Sequence, residues 1–261
     1  MDENYTVLIC EDSGEGIFSA IYLAYEKKLK PENTTIELLP EENYRLFTRY
    51  IRVETDKEKA EKVNRTIIER FGNMAVYYIW CCIYSCQREK ADIIYHVIAR
   101  GLANKCGKEL IHELQDPNTL KLSQIQKNVS NEAHHFKGFL RFSERGDGIL
   151  FSKICPKNQV LPLISSHFED RFNNEYFMIY DEKHKTCLLH QPQSSCIHYY
   201  PGEEELRTLE QAEESLSEEE DSIRRLFRSF HETITIDSRR NPKLQRNLLP
   251  LRFRGNMVEF E

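Results

Sequence analysis

The sequence predicts an α+β protein, and three observations carry that reading. A short apolar run, Tyr5 to Cys10, meets an acidic turn and then an apolar stretch with helical spacing. From Asp56 to about Val129 the pattern is helical almost throughout. After Phe136 short runs of strand length return on either side of one amphipathic segment, in the order β-β-α-β-β, which implies an antiparallel sheet with a helix on one face. The chain thus divides into a strand-helix and helical region, 1–130, and a sheet region with a long C-terminal helix and basic tail, 131–261, packed as one composite unit. At 261 residues it is long enough for one sizeable core or two modest ones.

In chain order, Glu11-Asp12-Ser13-Gly14-Glu15-Gly16 turns the first strand into a helix beginning near Ile17. Thr35 to Leu39 and Tyr50 to Val53 are further strand candidates. Helices are expected over Lys59 to Phe71, Met74 to Cys86 and Ala91 to Asn104, and another after Asp116-Pro117-Asn118, where proline suits a first turn. Met74 to Tyr84 is apolar on every face and predicts a buried central helix. Lys137 to Ser143 and Ile149 to Ile154, joined by Arg145-Gly146-Asp147-Gly148, predict a hairpin. Leu161 to Phe172 predicts a short helix, and Tyr176 to Tyr180 with Thr186 to His190 two more strands. Glu203 to Asp221 is glutamate-rich and solvated. Ile223, Leu226, Phe227, Phe230 and Ile234 then recur at helical spacing, so the last long helix packs by that stripe and turns Arg224, Arg225 and Arg228 outward.

Composition excludes several classes. No apolar run approaches the roughly 18 residues of a membrane span, and the start lacks the basic residues of a secretory signal, so the expected compartment is the cytoplasm. The eight cysteines are scattered, which in that compartment implies reduced thiols. There is no Gly-rich phosphate loop, Gly-x-Ser-x-Gly elbow, His-Glu-x-x-His or Cys-x₃-Cys-x₂-Cys, and no cofactor is called for.

The clearest asymmetry is electrostatic. The formal net charge is −6, yet from Ser238 to Gly255 there is no acid. Arg239, Arg240, Lys243, Arg246, Arg252 and Arg254 would contact phosphates, and Phe253 would stack on an unpaired base. Asn241 before Pro242 marks a break that lets this tail wrap back over the sheet, where Arg141 adds a cation. The alternative is that the tail pairs with the molecule's own carboxylates and only ties down the terminus.

Two polar clusters are candidates for chemistry. In the acidic turn, Asp12 or Ser13 can cap the helix and Glu15 can close a capping box with Asp12. Alternatively Glu11, Asp12 and Glu15 hold a divalent metal for phosphoryl transfer, although the helix dipole there favours anions. In Glu132-Ala133-His134-His135, His134 is the candidate general acid or base, with Glu132 or Glu169 to orient it; the bland reading is a histidine bonded to backbone. His184, Cys187, His190, Cys196 and His198 lack the paired knuckles of structural zinc, and no metal is assigned.

Three stretches carry a family resemblance: Glu11 to Gly16, Asn131 to Phe142, and Thr233-Ile234 through Arg239-Arg240-Asn241-Pro242 to Leu249-Pro250-Leu251-Arg252-Phe253-Arg254. With them the chain resembles a bacterial family of uncharacterised function assigned to DNA repair or DNA metabolism. It is similar to a domain that precedes some uracil-DNA glycosylase domains and whose stand-alone form is encoded beside a DNA-modifying radical SAM protein. It departs from that family at His135, often Arg there, and at Leu249, often Met. The resemblance implies a DNA-related context and supplies no catalytic residue.

Three functions follow as expectations. The first is a DNA-binding accessory factor that presents DNA to a partner enzyme of radical SAM or glycosylase type. The second is a nuclease or base-processing enzyme centred on Asp12, Glu15 and His134. The third is a protein-binding scaffold without nucleic acid.

Overall fold

The computed structural model describes residues 5–39, 45–104, 107–146, 148–211, 218–235, 238, 241–254 and 257. The protein is α+β, and its chain forms two compact units, Met1–Ser130 and Asn131–Glu261.

In the first unit β1 (Tyr5–Cys10) is the middle strand of a parallel sheet, flanked by β2 (Thr34–Leu38) and β3 (Thr48–Arg52). Its central place explains why Val7, Leu8, Ile9 and Cys10 are all buried: a strand covered on both faces reads as a continuous apolar run. Between β1 and β2 runs α1 (Gly14–Glu26), which packs against α2 (Lys57–Ile83). Gly72 breaks α2 at φ 77°, a left-handed conformation that costs glycine little. The two helices expected from sequence are thus two halves of one kinked element. The second half is less central than predicted: Ala75, Ile79, Cys81, Cys82 and Ile83 are buried, whereas Met74 and Tyr77 are exposed. An all-apolar stretch there meets neighbours on one side, and Tyr77 turns its hydroxyl to Ser130 Oγ at 3.1 Å. Helix α3 (Lys90–Asn104) and the first half of α4 (Pro117–Phe139) complete the unit.

The second unit holds a five-stranded sheet in sequence order: β4 (Ser143–Glu144), β5 (Leu150–Ile154), β6 (Phe177–Asp181), β7 (Thr186–His190) and β8 (Ile197–Tyr199). The expected all-antiparallel arrangement is corrected at one point. β5 and β6 are parallel, because α5 (Leu161–Arg171) carries the chain back to the same end before β6 begins. The other three pairings are antiparallel. A second correction concerns Lys137 to Ser143: α4 continues to Phe139, and the strand is only Ser143–Glu144. The apolar residues there satisfy a period of two, but Ala133, Phe136 and Leu140 also fall at helical spacing, and burial against α5 and the sheet selects the helix.

The C-terminal part contains α6 (Glu203–Gln211), α7 (Glu218–Ile234) and α8 (Pro242–Leu248), then a single 3₁₀ turn over Leu251–Phe253. Here a third expectation fails. The α7 stripe does not pack: Leu226 is 71% exposed, and Ile223, Phe227, Phe230 and Ile234 lie between 45% and 56%. Arg224 is the residue drawn inward, bonding Glu220 one turn back and the Ser143 hydroxyl.

Candidate functional site

Helical spacing places Glu132, Phe136 and Phe139 on one face of α4. Glu132 is 3% exposed, and burying a carboxylate is costly unless it is paired. Its oxygens accept the amides of Lys157 and Asn158 at 3.0 Å and Asn158 Nδ2 at 2.6 Å. Arg252 Nη1 lies 3.3 Å from Oε1. Glu132 therefore binds three separate parts of the chain: α4, the loop after β5 and the C-terminal 3₁₀ turn.

Aromatic packing reinforces that junction. The Phe253 ring, 7% exposed, meets Phe136 edge-on at 5.0 Å and lies 5.2 Å from His135 and 5.7 Å from Phe139. Arg252 lays its guanidinium over Phe253 at 4.6 Å. One stretch quoted for the family resemblance, Asn131–Phe142, thus meets the end of another, Leu249–Arg254.

Beside the junction is a cavity of about 320 Å³. Phe139 and Leu140 form half-buried walls, Ser152 and Ile154 come from β5, and Arg141, Lys153 and Arg252 stand at its rim together with the carboxylate of Glu182. Arg141 donates to the carbonyls of Gly138 and Leu140 at 3.2 and 3.3 Å, which closes the end of α4. Lys153 pairs with Glu182 at 3.1 Å. Ser152 is 3% exposed, and its Oγ has no hydrogen-bond partner.

The expected nucleic-acid residues separate into distinct roles. Phe253 is a core residue, and this corrects its reading as a stacking group: the ring fills a hollow that α4 leaves open. Arg252 reaches the cavity rim. Arg254 is half-buried and donates twice to the carbonyl of Leu249, at 3.2 and 3.0 Å. Asn241 caps α8, accepting the Leu244 amide at 3.0 Å. Lys243 and Arg246 are exposed on α8 and make no ion pair among the described residues. Arg239 and Arg240 lie outside the described residues.

The acidic turn has a structural occupation. Ser13 is the N-cap, accepting the Gly16 amide at 2.9 Å, so Glu15 is one position short of the capping box expected with Asp12. Asp12 Oδ1 sits 2.5 Å from Lys90 Nζ, and Lys90, 2% exposed, also donates to the carbonyls of Ile83 and Ser85 at 2.7 and 2.8 Å. Three donors thus meet three acceptors, which lets an ammonium be buried. Its sequence signal was available: Lys90 falls on the same α3 face as Ile94 and Val97. Glu15 is exposed. His134 is exposed as well, and neither proposed orienter serves it, since Glu132 is engaged as above and Glu169 accepts the Cys196 amide. Asp12 and Glu15 belong to the first unit, His134 to the second.

A larger hollow of about 720 Å³ runs along β2 in the first unit. Two of its cations are answered by carboxylates, Arg45 by Glu37 at 3.3 Å and Lys121 by Glu89 at 3.0 Å, and Arg88 lines it as well. Asp92 there accepts the Ile36 amide of the sheet edge at 3.2 Å. Among the described residues no orphaned buried polar atom lines it, so the smaller cavity is the better candidate site. No group of three or more His, Cys, Asp or Glu among the described residues is arranged to hold a metal ion. Burial pushes the thiols of Cys10, Cys82 and Cys196 up to about 12, and those of Cys81 and Cys187 to about 11. These are poor nucleophiles at neutral pH.

Fold and site together define an α+β protein whose C-terminal segment folds back as one wall of a cation-rimmed cavity. The chain belongs to the family described as a domain of unknown function (DUF4130), whose model matches residues 88–259 and so spans both sides of that cavity. A search of curated proteins finds no match.

Proposed function

We propose that this protein is a nucleic-acid-binding accessory factor of a DNA repair or DNA metabolism system, acting in the cytoplasm and presenting DNA to a partner enzyme of radical SAM or glycosylase type. One observation carries the reading. Within the acid-free segment Lys243 and Arg246 are exposed and unpaired among the described residues, and the same segment leads to Arg252 at the cavity rim beside Arg141. Cations left in water along one segment of an acidic molecule suit a polyanion. No helix of the described residues is long and apolar enough to cross a membrane.

The test is a shift assay with labelled oligonucleotides over a salt series. Affinity is expected to fall linearly on a log–log scale, and reversing Lys243 and Arg246 to Glu is expected to weaken binding and reduce the slope by about two, one per lost phosphate contact. Undiminished affinity in the double variant would show that the segment does not contact the nucleic acid.

A second reading, a scaffold that docks a protein, is favoured by the exposed α7 stripe. Failure of every oligonucleotide to bind at low salt would leave that reading in possession.

A further inference from the structure

Resting on the nucleic-acid reading above, we infer that the cavity between the end of α4, β5 and the Leu251–Phe253 turn receives one unpaired nucleotide, with its base inside and its phosphates on the arginines of the rim. The Ser152 hydroxyl is the first argument. It lines the cavity, is 3% exposed and has no partner. Buried polar groups are nearly always satisfied, so a lining serine whose hydroxyl is sealed from water and has no partner gains a bond by turning about χ1 onto a ligand in the cavity. A hydroxyl both donates and accepts and can therefore meet the edge of any base.

The walls are the second argument. Phe139 and Leu140 present half-buried apolar surface, and Ile154 lies beside Ser152 on the same face of β5. A flat aromatic heterocycle gains from such walls, whereas a bare phosphate does not. A purely apolar ligand would leave Ser152 unpaired.

Rim and size complete the case. Arg141 and Arg252 stand exposed where the backbone of a strand would pass. Lys153, held by Glu182, adds less. About 320 Å³ is near the lower end of small-ligand pockets, which run from ~300 to ~1,000 Å³. The volume suffices for one base, and a base still paired and stacked in a duplex cannot reach into it, so the nucleotide enters only when it has left its duplex or never had a partner.

The experiment uses the full chain and two probes: a short duplex containing a paired 2-aminopurine, and the same duplex with the 2-aminopurine in a single-nucleotide bulge. The bulged probe is expected to bind about tenfold tighter, with a change in its fluorescence as the base meets protein walls. Ser152→Ala is expected to cut that preference to about threefold without lowering the melting temperature, since it removes only a hydroxyl that had no partner. Arg141→Gln should weaken both probes. If wild-type protein binds both probes equally and with steep salt dependence, the cavity assignment is overturned and the phosphate-facing surface stands. The cavity assignment is overturned in the same way if Ser152→Ala keeps the full preference. If neither probe binds at low salt, the nucleic-acid reading itself is lost and the cavity assignment with it.

Discussion

Glu132 shows how one residue can hold a fold together while looking in the sequence like part of a catalytic cluster. Its neighbours His134 and His135 invited a chemical reading, but its oxygens serve the Lys157 and Asn158 amides and Asn158 Nδ2. Glu132→Ala is expected to cost about 2–4 kcal/mol in urea unfolding, because buried donors lose their acceptor. Arg252→Ala is expected to cost under about 1 kcal/mol, since that side chain is 41% exposed and its ion pair is screened. Equal losses would mean that the ion pair, not the backbone bonds, does the holding. A second residue-scale prediction concerns His96, 3.4 Å from Asp92. The hydrogen bond to Asp92 raises the His96 pKa above its ordinary 6.5, with burial opposing. The folded protein then holds this proton more tightly than the unfolded chain does, so the contribution is fully present below pH 6.5 and is lost as pH rises through the raised value. Thermal melts of His96→Gln should lose this component of pH dependence. An unchanged profile would place the proton elsewhere.

Among the elements, the contrast between α7 and the C-terminal turn is the most informative. Both are apolar-rich, and sequence alone assigned the stripe of α7 to the interior and Phe253 to a ligand. The structure reverses them. Helical periodicity shows that a face is apolar but not that anything covers it, and Phe253 has no periodic partner nearby because its partners lie on α4. Leu226→Ser on α7 is therefore expected to change stability by no more than about 0.5 kcal/mol, and Phe253→Ala to cost about 3–5 kcal/mol, both read from denaturant midpoints. A large loss at Leu226 would show that α7 packs in solution. The elements themselves were largely legible where local rules decide them: β1 from its apolar run, α4 from its proline start, β6 and β7 from two short apolar runs around a charged turn. They were illegible where two periods fitted the same residues, as over Phe136 to Phe142, and where a crossover set strand direction, as for β6 beside β5. The cavity was legible only in fragments. Arg141 and Arg252 stand out by charge, but Ser152 is an unremarkable serine until its orphaned hydroxyl is seen, and nothing but its helical register marks Lys90 as a buried lysine.

Across the whole molecule, the sheets of the two units are organised differently, one parallel and central to its core, the other mixed and meandering. The family match begins at Arg88, so β1 to α2 lie outside it, while every wall of the cavity lies inside. A formal charge of −6 does not oppose the proposed partner, because association is steered by the local field around a segment more than by the total. What the totals conceal, a run of cations without acids, is the feature on which the functional reading depends.

The late arrival of Phe253 and Met257, both buried, has a consequence for biosynthesis. Phe136 and Phe139 emerge from the ribosome long before the ring that seals them, so a nascent second unit must wait with an unclosed apolar groove. Contacts so distant along the chain form slowly. Chaperones that shield such grooves during translation would find their window here, and it shuts only when the arginine-flanked phenylalanine seats itself against α4.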